Sequence, residues 1–290
     1  MQDFKRDGVF MQSTQQQQKN ALVTGGSSGV GLSITRYLVQ AGYHVTFIGR
    51  NQERGKRVEA QLNSRSTGCS QFTPLDLSEL RSVLQFSQEF IKNHHKLDIL
   101  ANVAGIILPQ RQENSAGIDK TLATGYLSAY LLCRELSQLL KKSEHGKIVN
   151  VAGLPIHVLN TRLSPNDLSS KKSYSGINIA IKAVHAKTVF TQTLAQELEE
   201  TGVDVNCFHP GTIQSDLGRN LNFPLKQLFK LAKVFFAKDS AGGIRACSEE
   251  MTGMTGHIIT KNKVYPLKFT QSYQQEIQKL THELIEKSLN

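Results

Sequence analysis

Short apolar runs alternate along this chain with longer segments whose apolar positions recur at helical spacing. Ala21–Val23 is one such run, and LSITRYLVQAG after it has the period of an amphipathic helix. Val45 to Ile48 reads as a buried parallel strand, followed by a helix from Gln52 to about Asn63. A third strand ends in TPLDLS. The next helix is expected to turn Val83, Phe86, Phe90 and Ile91 inward, and Ile99 to Val103 makes a fourth strand. Further on, IVNVAG reads as a strand and KTVFTQTLAQELEETGV as a helix. HIITKNKVYP, His257 to Pro266, reads as the last strand, and Ile277, Leu280, Leu284 and Ile285 face inward from a final helix. Strand and helix alternating at this period predict an α/β fold with a doubly wound, mostly parallel sheet in one domain.

Two segments stand apart. Residues 1 to 18 are polar and glutamine-rich and read as a disordered leader before a domain spanning 19–290. Residues 222–237 (NFPLKQLFKLAKVFFA) carry Leu225, Leu228, Phe229, Ala232 and Phe236 as an apolar stripe, which suits a helix covering an apolar ligand or packing on the body, ahead of a membrane-surface helix. No apolar run of about 18 residues is present, so no transmembrane segment is expected.

The 290 residues suffice for one large domain. The net charge of +10 fits an anionic partner, but no zinc-ligand spacing or nucleic-acid motif accompanies it. Nucleic acid is therefore not expected as a partner, nor is a bound metal. Cys69, Cys133, Cys207 and Cys247 make no pairing pattern, which suits a reducing, cytoplasmic setting.

The chemistry concentrates in TGGSSGVG, Thr24 to Gly31, between the first strand and the first helix. Gly25, Gly29 and Gly31 let the backbone turn sharply and approach a pyrophosphate seated on the amides of a helix N-terminus. Thr24, Ser27, Ser28 and Val30 complete that loop. At the end of the second strand, where a carboxylate would bind the 2′-hydroxyl of NAD, stand Gly49, Arg50 and Asn51. An arginine there pairs with a 2′-phosphate, so NADP(H) is the expected cofactor. Asp76 and Leu77 fall where the third strand gives out; Asp76 suits an adenine contact, a helix cap, or both.

TGGSSGVG, Gly49-Arg50, Asp76-Leu77, NVAG (Asn102 to Gly105), IVNVAG and FHPGTIQSDL occur in the order seen in short-chain dehydrogenases/reductases, and over residues 20 to 290 the chain resembles their retinol-dehydrogenase-like, NADP-dependent branch. The resemblance implies a seven-stranded sheet with ligand bound over the C-terminal strand ends. It adds Asn102, Ala104, Gly105, Pro210, Gly211 and Thr212 to the cofactor contacts, and it makes the segment 222–237 a substrate lid.

The family moves a proton with a tyrosine, a lysine four residues later, a serine and an asparagine. Aligned on its motifs, those positions here are Ala180, Val184, Gly153 and Gly125. A rival register puts Tyr174 at the tyrosine position, but it needs a six-residue insertion within a packed helix and still lacks the lysine. Tyr174, Tyr126 and His157 are the candidate substitute donors. The expectation is an NADP(H)-binding member without ordinary ketone or alcohol turnover. The alternatives are an atypical reductase of an apolar substrate and a structural subunit of a mixed oligomer; a homo-oligomer is equally compatible.

Overall fold

The computed structural model describes residues 18–64, 68–160, 162–163, 174–211 and 240–290. The predicted leader, apart from Gln18, and the predicted lid at 222–237 lie outside them.

Strands β1 (Asn20–Thr24), β2 (His44–Gly49), β3 (Cys69–Pro74), β4 (Ile99–Asn102), β5 (Gly146–Val151), β6 (Val203–Phe208), β7 (His257–Ile259) and β8 (Val264–Pro266) form one sheet in the order β3-β2-β1-β4-β5-β6-β7-β8. All neighbours are parallel except β7 and β8. The seven-stranded expectation is thus corrected to eight. HIITKNKVYP is a hairpin, not one strand, because its KNK centre makes a polar turn. Thr260 N donates to Lys263 O at 2.8 Å and Lys263 N to Thr260 Oγ1 at 2.9 Å.

Chain order reverses between β1 and β4, which opens a crevice at their C-terminal ends, where ligands of such sheets bind. On one face pack α1 (Gly29–Gln40), α2 (Gln52–Asn63) and α8 (Ala241–Cys247), around Val23, Ile34, Val45, Phe47 and Phe208. On the other lie α3 (Leu80–Asn93), α5 (Ser128–Leu140), α7 (Gly176–Glu197) and α9 (Gln271–Leu289), around Leu22, Leu100, Tyr126, Ile148 and Phe190. Helix α5 is entered through one turn, α4 (Lys120–Leu122), and a π-helical turn, Ala123–Leu127. The short α6 (Pro155–Asn160) follows β5.

Two inward faces differ in detail from the pattern. In α3 the buried seam is Leu80, Val83, Ser87 and Phe90, while Ile91 is turned outward at 38 % exposure. Ser87 fits the seam because its hydroxyl donates to Val83 O at 2.9 Å. In α9, Ile277 is buried, and Leu280, Leu284 and Ile285 pack on the core beside it.

Candidate functional site

The glycine loop is shaped by close approach as well as by turning. Gly25 has φ +70°, and its amide donates to Ile48 O at 2.8 Å; a Cβ there would lie 3.2 Å from Ala104 Cα. Gly29 also has a positive φ, and a side chain at Gly31 would run into the carbonyl of Gly25. Gly26, which the sequence reading left aside, is equally constrained, since its Cβ would fall 2.5 Å from Phe47 Cβ and 2.6 Å from Thr35 Oγ1. Thr24 Oγ1 accepts from the amides of Val103 (2.8 Å) and Ala104 (3.0 Å), which locks the loop to the end of β4. Ser28 is the extended N-cap residue of α1, its side chain makes no capping bond, and no acid stands in the first turn. The first amides of α1 therefore remain open to an anion, and the glycine cradle leaves a pyrophosphate room to approach them. Ser27 is buried, and half-buried Val30 packs on the core beneath the loop.

Next to this cradle, Gly49 ends β2, and a Cβ on it would meet Ser27 Oγ only at ordinary contact distance, 3.4 Å. Arg50 is exposed and forms no ion pair among the described residues. Asn51 is the N-cap of α2, its Oδ1 accepting from Arg54 N at 2.7 Å. Asp76 Oδ1 accepts from Ser78 N (2.9 Å) and Ser78 Oγ (2.8 Å), a turn just ahead of α3, which starts at Leu80 rather than Ser78. Leu77 is buried.

Asn102 braces β4 to β5, its Nδ2 donating to Asn150 Oδ1 at 2.9 Å and to Cys133 Sγ at 3.3 Å, while its Oδ1 is buried without a partner among the described residues. Ala104 and Gly105 continue from β4 at the crevice, with Gly105 exposed. Pro210 and Gly211 follow β6 at the same edge, Gly211 with φ +77°; Thr212 lies outside the described residues.

The four positions expected from the sequence to align with the family's proton relay can be placed individually. Helix α7 runs without a break from Gly176, so Ala180 and Val184, four residues apart, share a face. Gly125 sits in the π-helical turn, a distortion often found at functional sites. A Cβ on Gly125 would meet Ala183 Cβ at 3.2 Å, and one on Gly153 would meet Val158 Cγ2 at 3.0 Å and Val184 Cγ1 at 3.6 Å. Gly125 and Gly153 thus meet the same turn of α7, and its neighbours there are apolar.

None of the three substitute donors joins this cluster. Tyr126 is in the core: its hydroxyl pairs with Thr281 Oγ1 at 2.6 Å, and burial pushes its pKa further up. His157 is exposed on α6, while Val158 beside it packs against Gly153. Tyr174 precedes α7, outside its N-cap Ser175, and its hydroxyl donates to Leu108 O (3.3 Å) and lies 3.4 Å from Thr121 Oγ1.

Two groups escaped the sequence reading. His209, between β6 and Pro210, has its ring beside the carbonyls of Ala152 and Gly153, and burial lowers its pKa. The signal was the histidine of the HPG stretch itself. Lys187, on α7, is 1 % exposed near Cys133 and Cys207, with its pKa pushed down to about 8 by burial. Nothing in the helical pattern marks it as unusual.

A doubly wound sheet with a glycine cradle at its switch point defines a dinucleotide-binding α/β protein. The short chain dehydrogenase family model matches residues 19–164. Human retinol dehydrogenase 14 is 31 % identical over 259 residues, covering 82 % of this chain and 76 % of that protein. Human retinol dehydrogenase 11 is 32 % identical over 221 residues, covering 74 % and 68 %. The chain belongs to the short-chain dehydrogenase family. Among solved structures, the NADP complex of Pseudomonas aeruginosa RhlG superposes with a TM-score of 0.64 at 23 % identity, covering 83 % of this chain and 94 % of that one. A metagenomic short-chain oxidoreductase in complex with NADP gives 0.59 at 19 %, covering 84 % and 98 %. Among the described residues no helix is long and apolar enough to cross a membrane, and no group of three or more metal-ligating side chains occurs.

Proposed function

We propose that this chain binds NADP(H), as the structural neighbours solved with NADP do, and does not reduce ordinary ketones or oxidise ordinary alcohols by the family's proton relay. The observation that carries the second half is the apolar packing at the vacated positions. Ala183 stands against Gly125, and Val158 and Val184 against Gly153, where the relay would need an asparagine, a serine and a lysine. A valine at 184 cannot hold a ribose hydroxyl or lower the pKa of a neighbouring phenol.

The cofactor half rests on the open amides of α1, the glycine cradle and Arg50. When bound, NADP(H) supplies the hydride chemistry. The residues of this chain would seat the pyrophosphate on the Gly25–Gly31 turn, and Arg50 would meet the 2′-phosphate. Asp76, Ala104, Gly105, Pro210 and Gly211 border the same edge. Above the sheet the apolar turn of α7 would favour an apolar ligand.

The test is direct. Purified protein titrated with NADPH should bind it, while the same sample turns over simple ketones, aldehydes and secondary alcohols at least about a thousandfold more slowly than a relative with the full relay, given that a placed proton donor contributes roughly 10²–10⁴. Rapid reduction of an ordinary ketone would overturn the reading.

A further inference from the structure

His185 joins three elements at one buried ring. It lies on α7, one residue after Val184, and is 1 % exposed. Its Nε2 meets Tyr273 Oη, on α9, at 2.9 Å. The same phenol oxygen accepts from the backbone amide of Leu163 at 2.8 Å. An amide N–H can only donate, so the phenol hydrogen is left for His185 Nε2, which accepts it. The ring proton of the neutral imidazole then belongs on Nδ1. On that side the carbonyl of Val158, in α6, lies beside the ring, short of full hydrogen-bond geometry. Arg162 ties the same elements a second time. Its guanidinium lies 5.0 Å from the centre of the Tyr273 ring and 3.8 Å from the carboxylate of Glu276. Phe269 packs edge-on against the imidazole, with ring centres 5.6 Å apart.

This arrangement suits a neutral ring only. A proton on Nε2 would set an N–H against the phenol, deprive the phenol hydrogen of its acceptor, and place a charge beside Phe269 and Val158. If Val158 and Leu163 move off, water can solvate the imidazolium. We propose that His185 and Tyr273 form a proton-operated clasp: the neutral ring holds α6 and residues 162–163 to α9, and protonating it releases them while the sheet and α7 stay folded. Helix α6 starts two residues after Gly153, at the strand-end edge that carries the glycine loop, so release loosens that side of the crevice. Within one turn of these contacts stand Lys182 and Lys187 on α7, His157 on α6, Arg162, Lys268, and Glu276 on α9. None of them moves the His185 pKa: burial takes it from 6.5 to about 4, and the Val158 carbonyl opposes that fall. The sign follows. The closed form holds the proton less tightly than an open form with pKa 6.5, so opening grows as pH falls from 6.5 towards 4.

Hydrogen exchange on the full chain at pH 7 and pH 5, corrected for intrinsic rates, reads this opening. With pKa values of about 4 closed and 6.5 open, opening at the amides of α6 and Leu163 should rise about twentyfold at pH 5. The amides of β1, β4 and α5 should stay within about twofold, because the clasp opens locally. His185→Gln keeps a hydrogen-bonding side chain that cannot titrate, so the pH effect should vanish although His157 remains. Tyr273→Phe removes both bonds to the phenol and should speed exchange of the same amides at pH 7 by at least about tenfold. A rise below about threefold in the parent protein overturns the proposal. So does a rise that survives in His185→Gln, or one shared equally by β1 and β4. If His185→Gln does not fold, Tyr273→Phe decides: exchange at pH 7 no faster than in the parent overturns the clasp.

Discussion

At the scale of single residues, the unusual feature is the price in solvation set by buried basic groups. Lys187 is 1 % exposed, and no carboxylate pairs with it among the described residues. Its pKa falls from 10.5 to about 8. The unfolded chain therefore binds more protons between pH 8 and 10.5, so stability should rise with pH across that window. The penalty is fully present below pH 8. Lys187→Met keeps much of the volume and removes the charge; it should stabilise the protein at pH 7 by about 1–3 kcal/mol and flatten the alkaline rise, as read by urea unfolding. His185 behaves in the same sense at acid pH. Its Nε2 meets Tyr273 Oη at 2.9 Å, and burial takes its pKa from 6.5 to about 4. Protons then bind preferentially to the unfolded state between pH 6.5 and 4, so stability should fall as pH drops through that range. His185→Gln should reduce the slope in acid titrations followed by circular dichroism.

At the scale of elements, α7 explains why Ala180 and Val184 could be placed from the sequence. The distance from KTVFTQTLAQELEETGV back to Ala180 and Val184 is a count along one helix, and a helix keeps that count. The hairpin of β7 and β8 was harder to see, because a two-strand turn inside HIITKNKVYP gives no glycine or proline signal. Asn102 illustrates another limit: a motif position says which strand end a residue occupies, not which face of the sheet its side chain takes. The packing of α7 also predicts what repair would do. Ala183 Cβ is fixed to a buried helix and cannot rotate away from a side chain at 125, so Gly125→Asn should destabilise by roughly 1–3 kcal/mol. Thermal unfolding measures that loss. Installing only Tyr at 180 and Lys at 184 (Ala180→Tyr with Val184→Lys) should recover little turnover of a simple ketone, since the serine and asparagine functions stay absent and the four groups work as a unit. A large recovery in NADPH consumption would show that two of them suffice.

At the scale of the molecule, the alternation of strands and helices carried the architecture, since only a crossover order brings β1 and β4 side by side with their loops at one edge. What the alternation could not reveal was which side chains meet across that edge, as His209 does with Gly153, because those contacts join segments more than fifty residues apart. Cofactor choice is decided at this edge. Gly49 ends β2 beside Ser27, where a Cβ would meet Ser27 Oγ at an ordinary contact distance of 3.4 Å, and Arg50 is exposed next to it. Gly49, Arg50 and Asn51 at the end of β2 include no carboxylate to repel a 2′-phosphate, and the chain as a whole carries a net charge of +10. A charge-assisted contact contributes about 1.5–3 kcal/mol, so NADPH should bind at least about tenfold more tightly than NADH. Arg50→Ala should narrow that ratio while leaving NADH affinity close to its original value. Gly49→Asp is sterically allowed, and its carboxylate would repel the phosphate while accepting from the ribose hydroxyls of NADH, so the preference should reverse. Raising salt should weaken NADPH more than NADH, because screening acts on the extra phosphate. Fluorescence titration of both cofactors against the parent protein and the two variants measures each ratio; equal affinities in the parent would exclude Arg50 as the determinant.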